Sequence, residues 1–245
     1  MRDRQDAICL RTTDYSETSQ VVHFLTRGAG VVRLIAKGAK RPKSKTGGAI
    51  DLLADGDLVY STGSGEGLGT LIEFTEVRSH GRLRRDTARL NTAVYMLELA
   101  GEMIAEADPH PEAFDLLRRT LWRLGEADAP VQAVLAYYQW RLLRHAGVLG
   151  ELKQCASCGA SPGRRNVHFS SAGGGLLCAA CEASAAEKYR LDGTTLAGLA
   201  ALSATDNGTR VALPEPQARA VNRMLAYHVR ELLGKPLRMT RYAIG

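Results

Sequence analysis

The sequence predicts an α+β chain of two unlike parts: a small all-β barrel first, then a helical domain interrupted by a cysteine module. Three observations predict it. Short runs rich in Val, Ile, Leu, Phe and Tyr crowd residues 6 to about 77. From about residue 80 apolar residues recur at helical spacing. Two Cys-x2-Cys pairs then break that spacing between residues 151 and 190.

The β part comes first. Ala7 to Arg11, Gln20 to Leu25, Val31 to Ala36, Asp57 to Tyr60 and Thr70 to Val77 are five strand candidates. Turn-prone residues separate them: Asp14-Tyr15-Ser16-Glu17, Gly28-Ala29-Gly30, Gly47-Gly48 and Ser61 to Gly69. The gap between Leu25 and Val31 suits a hairpin in which Gly28 and Gly30 supply positive φ. Five short strands over about 75 residues fit a small closed barrel, of the OB type or SH3-like.

The helical part follows. Leu90, Ala93, Val94, Leu97, Ala100, Gly101 and Ile104 form one apolar stripe, and Asp108-Pro109-His110-Pro111 ends it. A second helix is expected from Ala113 to Leu124 and a third from Val131 to about His145, closed by Gly147. Their apolar stripes argue for a helical bundle. After the cysteines come a short helix, Thr194 to Ser203, and a longer one, Pro214 to Leu233, stopped by Gly234 and Pro236. The expected domains are 1–80 and 81–245, with the cysteine module at about 151–190.

Of five cysteines, Cys9 stands alone, and it reads as a small buried hydrophobe. Cys155, Cys158, Cys178 and Cys181 have the spacing of two metal knuckles, able to set four sulfurs about one Zn²⁺ at ~2.3 Å. Four thiolates close the shell and leave no position for water, which makes the zinc structural. The alternatives are free thiols or a redox pair, but neither pair opens a helix after a strand as a thioredoxin-type motif does. His168, between the pairs, reads as a strand residue.

The net charge of +6 raises the expectation of a polyanionic partner, and its distribution sharpens that expectation. From Thr18 to Ile50 there is no acid, while Arg27, Arg33, Lys37, Lys40, Arg41, Lys43 and Lys45 supply seven positive charges. The densest part leaves a strand as a loop, and Lys37, Lys40, Arg41, Lys43 and Lys45 are the expected contacts to DNA phosphates. The alternative is a merely solvated loop. Phe24 and Tyr60 are the nearest aromatics, which favours backbone contacts without sequence preference. Arg82, Arg84, Arg85 and Arg89 read as a helix surface paired with Asp86 and Glu98, and as a second-choice DNA face.

Several classes are not signalled. There is no GxxxxGK[ST] loop, no GxGxxG after a strand, no GxSxG and no HExxH, so no enzyme is expected. No run approaches the ~20 apolar residues of a membrane span. The mixed-charge N-terminus does not read as a signal peptide, so a cytoplasmic protein is expected.

Four segments taken in order resemble the RecO family of bacterial recombination mediators. They are Leu10-Arg11-Thr12-Thr13-Asp14-Tyr15-Ser16-Glu17-Thr18-Ser19, the Lys37-Gly38-Ala39-Lys40-Arg41-Pro42-Lys43-Ser44 loop, Arg141-Leu142-Leu143-Arg144-His145-Ala146-Gly147 before the CxxCG pair, and Lys235-Pro236-Leu237-Arg238. The resemblance covers essentially the whole chain. It implies an N-terminal five-stranded OB-fold barrel followed by an all-α helical domain with an embedded zinc module. It implies binding of single- and double-stranded DNA, annealing of complementary strands, and work with RecR to place RecA on DNA coated by single-stranded DNA-binding protein. The acidic, hydrophobic tail of that protein would enter an apolar groove with a basic rim, for which Arg141 and Arg144 are the candidates, the alternative being that both are ordinary surface charges. Two other readings compete: a zinc-ribbon enzyme, for which no nucleotide-binding βαβ frame is visible, and a protein-only zinc adaptor that never touches DNA.

Overall fold

The computed structural model describes residues 2–41, 44, 46, 48–62, 68–163, 166–205 and 211–245. Lys43, Lys45, Gly47 and the glycine-rich 63–67 stretch therefore lie outside the described residues. The chain forms two compact units, residues 1–125 and 126–245.

The first unit is built on a closed barrel of strand order β1-β2-β3-β5-β4. Its strands are β1 (Arg2–Asp14), β2 (Gln20–Thr26), β3 (Gly30–Ala36), β4 (Asp55–Ser61) and β5 (Gly69–Arg78). β1 is long enough to pair with β2 through residues 7–14 and with β4 through residues 2–8, with a register shift between Cys9 and Arg11. That bulge turns one strand across both edges of the sheet. The barrel closes on a short parallel contact, Leu34 with Gly69 and Ile35 with Thr70. Gly69 is needed there, since a Cβ would stand 2.7 Å from the Leu34 side chain and 2.8 Å from the Ser61 carbonyl. Inside lie Val22, Phe24, Leu34, Leu58 and Phe74, with the Phe24 and Phe74 rings 5.2 Å apart. Cys9 is fully buried among them, and burial pushes its thiol up. In the β2–β3 turn only Gly30 takes positive φ (+64°); Gly28 instead donates its N–H to Gln5 Oε1.

Helices α1 (Thr87–Met103) and α2 (Pro111–Leu124) belong to this unit. The single bundle expected from the apolar stripes is thus corrected: α1 and α2 pack on each other and on the barrel, α1 against β1 and α2 against β2, while the third helix belongs to the other unit. A stripe says that a face is covered, not by what. The expected boundary at residue 80 coincides with the end of β5, and the compact unit runs on past it.

Charged side chains fasten α2 to the barrel. Asp55, with no exposed surface, receives Arg118 Nη2 at 2.9 Å, with Arg78 at 3.5 Å. Arg118 also donates to Asp6 (3.1 Å) and lies 4.4 Å over the Phe114 ring. One turn away, Asp115 takes a two-pronged bond from Arg27 (3.0 and 3.1 Å), which holds its carboxyl below the usual range. The exposed Arg27–Asp115 pair contributes no more than about 1 kcal/mol. Removing one partner of a buried pair costs about 3–5 kcal/mol, so Asp55–Arg118 is the stronger fastening.

The arginines before α1 lie exposed on their own unit, and Arg84 folds back on it. Arg82, Arg84 and Arg85 flank or form a one-turn 3₁₀ segment rather than the start of α1. Arg84 reaches the Leu52 carbonyl (2.8 Å) and Asp51 (3.6 Å). Arg89 contacts Asp86 and the Leu124 carbonyl.

The second unit contains α3 (Val131–His145), a three-stranded sheet of order β7-β6-β8, then α4 (Gly193–Ser203), α5 (Glu215–Leu233) and the short α6 (Thr240–Ala243). The sheet strands are β6 (His168–Ser170), β7 (Gly175–Leu177) and β8 (Tyr189–Arg190). α3 and α5 bury Tyr137, Tyr138, Trp140, Val221 and Leu225. A buried amide chain crosses them: Gln139 Nε2 donates to Asn222 Oδ1 (2.8 Å), and Asn222 Nδ2 donates to Gln132 (2.8 Å to Oε1). Such a chain sets the lengthwise register of two helices, which apolar contacts alone leave free to slide.

Candidate functional site

The four paired cysteines come together. Their sulfurs all lie within 4.8 Å of one another. Cys155 precedes a tight turn in which Gly159 (φ +73°) donates to the Cys155 carbonyl (2.9 Å). Cys178 follows β7, and its own turn closes with the Cys181 N–H on the Cys178 carbonyl (3.1 Å). The β6–β7 hairpin, turned at Ser171 to Gly174, returns the second knuckle over the first, and Cys155 bridges Leu176. The Cys178 N–H donates to Cys155 Sγ (3.4 Å). That bond, joined by the N–H groups of Cys158 and Ser157, brings the Cys155 thiol down to about 6, so it is readily a thiolate.

The geometry fits a tetrahedral ion. Four sulfurs at ~2.3 Å from one centre stand about 3.8 Å apart. The Cys158 and Cys178 sulfurs are 3.8 Å apart. The cluster is compatible with one structural metal held by Cys155, Cys158, Cys178 and Cys181. His168 lies in β6 with Nδ1 3.5 Å from Glu182, apart from the sulfur cluster.

The cysteine module is clasped to α5. The Ser171 hydroxyl contacts His228 Nδ1, while His228 Nε2 faces the Val148 carbonyl at 3.0 Å and so must donate to it. Burial holds this imidazole below its ordinary value. Glu187 accepts from Ser170 (2.9 Å), from the Ala172 N–H (2.8 Å) and from the Tyr227 hydroxyl. The serine–histidine pair is buried, so it serves as a fastening rather than as an exposed nucleophile.

The basic loop leaves β3 at the mouth of the barrel. Lys37 and Arg41 are exposed, and Lys40 is half-buried. The loop is pinned to the β1–β2 turn: the Gly38 N–H donates to Ser19 Oγ (3.1 Å) and the Lys40 N–H to the Thr18 carbonyl (3.1 Å). The acid-free run is partly neutralised by acids from elsewhere in the chain. Lys40 pairs with Asp14 (2.7 Å), Arg33 with Glu106 (2.9 Å) and Arg27 with Asp115. Among the described residues, Lys37 and Arg41 keep no carboxylate partner. On the outer face Arg11, His23 and Arg33 stand abreast on β1, β2 and β3. Burial and the two arginines lower the affinity of His23 for a proton. Phe24 and Tyr60, the two aromatics expected nearest this surface, are both inside the barrel.

In the second unit Arg141 and Arg144 line a groove of about 800 Å³. Trp140, Leu196 and Leu199 supply apolar lining, Lys153 adds a cation and Glu151 one acid. The guanidinium of Arg144 lies 5.6 Å from the Trp140 ring centre. The apolar side of this groove comes from α4, whose leucines carried no functional signal in the sequence because their spacing is that of any packed helix.

Comparison with known proteins bears on the whole chain. Residues 1–80 match the family of Recombination protein O N-terminal domains and residues 84–241 the family of Recombination protein O C-terminal domains. The chain is 34% identical to the DNA repair protein RecO of Anaeromyxobacter dehalogenans strain 2CP-1 over 98% of its length and 95% of that protein. It is 34% identical to that of Myxococcus xanthus strain DK1622 over 91% of both chains. With the RecO of Bacillus pumilus strain SAFR-032 it shares 34% identity over 73% of its length and 68% of that protein.

Full-length protein purified without chelator is expected to carry one metal ion per chain. Cys155→Ser combined with Cys178→Ser should lose it, together with amide protection across 151–190. Structural sites of this kind contribute on the order of 10 kcal/mol to folding of their module. Elemental analysis finding no metal in pure wild-type protein would contradict the assignment.

Proposed function

The chain belongs to the RecO family of DNA repair proteins, and we propose on that basis that it is a recombination mediator acting through phosphate contacts rather than catalysis. It binds single- and double-stranded DNA without sequence preference, anneals complementary strands, and assists RecA loading together with RecR. The observation that carries this reading is the exposed basic loop pinned at the mouth of a closed barrel. The barrel is an OB-fold, a reading supported by its β1-β2-β3-β5-β4 order and parallel β3–β5 closure.

The physics of the mediator is charge neutralisation. Two DNA strands repel each other, and a surface that neutralises phosphates on both lowers that repulsion while releasing counterions. Lys37 and Arg41 are the principal contacts, with Lys43 and Lys45 completing the loop. Lys40 contributes once DNA phosphates compete with Asp14 for it. The ion held by the four cysteines is Zn²⁺, whose closed thiolate shell gives the module its rigidity and no chemistry. The protein works in the cytoplasm on nucleoid DNA.

The groove beside Arg141 and Arg144 receives the tail of single-stranded DNA-binding protein. Apolar tail residues lie against Leu196, Leu199 and Trp140, and the acidic ones meet Arg141, Arg144 and Lys153. Replacing Arg141 and Arg144 with Ala should weaken a tail peptide by about tenfold or more, as expected for lost charge-assisted hydrogen bonds. Unchanged peptide affinity would remove this contact from the account.

The DNA contact is tested by a salt series on a fluorescent oligonucleotide. Wild-type affinity should fall linearly with log salt, by about 0.7 log units per neutralised phosphate on a single strand. Changing Lys37, Lys40, Arg41, Lys43 and Lys45 to Ala should reduce that slope by about two units or more. A wild-type protein that binds no DNA, or a variant with the same slope, would favour the protein-only adaptor.

A further inference from the structure

We infer that Tyr15 is a stacking platform for an unpaired nucleobase, placed beside the basic loop so that the barrel discriminates single strands from duplex. This rests on the phosphate-binding reading of the loop and adds a second kind of contact to it. The β1–β2 turn that carries Tyr15 is the same turn against which the loop is pinned, through Ser19 and Thr18. Asp14, its chain neighbour, holds Lys40 at 2.7 Å. The turn is itself closed: the N–H groups of Tyr15 and Ser16 both donate to the Ser19 carbonyl, at 3.0 and 3.2 Å. The backbone is therefore fixed, yet the Tyr15 residue is 65% exposed.

An aromatic ring held on a rigid turn next to phosphate-binding cations is the arrangement that single-strand binders use. Every base has a π-face, so stacking is tolerant of sequence, and a tyrosine loses little rotamer freedom when covered. Bases in a duplex are already stacked on both faces, so the same ring gains nothing from paired DNA. The other aromatics of the β sheet do not compete for this role, since Phe24, Tyr60 and Phe74 face the barrel interior.

The test compares full-length wild type, Tyr15→Ala and Tyr15→Phe on oligothymidylate and on a duplex of equal length. Tyr15→Ala should weaken oligothymidylate binding by about 5- to 150-fold, the range of one lost base–aromatic stack, with an unchanged salt slope. Duplex affinity should stay at the wild-type level, and Tyr15→Phe should retain wild-type affinity for both. An unaltered melting temperature checks that the exposed substitution leaves the barrel folded. Equal oligothymidylate affinities for Tyr15→Ala and wild type would overturn the inference and leave the phosphate reading standing. So would an equal loss on duplex, or a loss in Tyr15→Phe as large as in Tyr15→Ala, which would mark a hydroxyl contact instead. Wild-type protein that fails to bind either DNA would overturn both readings together.

Discussion

A carboxylate with no access to water sits at the first residue of β4, and the first unit is arranged around supplying it with a partner. Asp55 lies where β4 begins its pairing with β1; its Oδ1 faces both Arg78 from the end of β5 and Arg118 from α2, and its Oδ2 faces His80 at 3.6 Å. Burying an unpartnered carboxylate costs more than most single contacts return, so Arg118, the nearest of its partners, makes the docking of α2 favourable at the barrel end. The Arg27–Asp115 fork and the Arg118–Asp6 bond then fix the angle of the helix, at little gain in stability. Because Arg27 closes β2 and Asp6 lies in β1, the same docking steadies the strands that flank the β1–β2 turn. The loop and turn proposed to meet DNA are thus held by a unit whose rigidity is set at its other charged contacts.

The second unit solves a parallel problem with a different device. Its sheet has three very short strands and cannot hold a shape alone. Four sulfurs gather about one point, an arrangement compatible with one structural metal, and His228, Tyr227 and Glu187 fix the module to α5. The Gln139–Asn222–Gln132 chain in turn fixes α5 against α3. Each link is polar and directional, and so fixes positions that the apolar contacts between the same elements leave free to slide. The leucines of α4 remain available to line the groove beside Arg144.

Much of this was legible in the residues. α3 runs from Val131 to His145 as its Pro130 and Gly147 boundaries foretold, and each of the five strands contains the apolar run expected of it, though β1 extends well beyond Ala7 to Arg11, over Arg2–Asp14. The gathering of the four cysteines followed from spacing alone, because two Cys-x2-Cys turns have few other uses in a chain with no βαβ setting. What spacing does not carry is the identity of a distant partner. Asp55 and Arg118 gave no sign of pairing, and the apolar stripes of α1 and α2 look the same whether they cover a barrel or another helix. The basic stretch shows the same limit in charge: it is free of acid in sequence, but Asp14, Asp115 and Glu106 approach it in space. Tyr15 was read only as part of a turn; its value as an exposed ring became visible once the turn was seen bonded to the loop.

The central claim, that the barrel mouth of this RecO-family protein is a DNA surface, is tested most directly by amide hydrogen exchange of the full-length protein with and without saturating oligothymidylate. The account predicts new protection concentrated in residues 15–19 and 37–41, where turn and loop share hydrogen bonds. Protection confined to the basic C-terminal segment 235–245, with the barrel mouth exchanging as in the free protein, would contradict it.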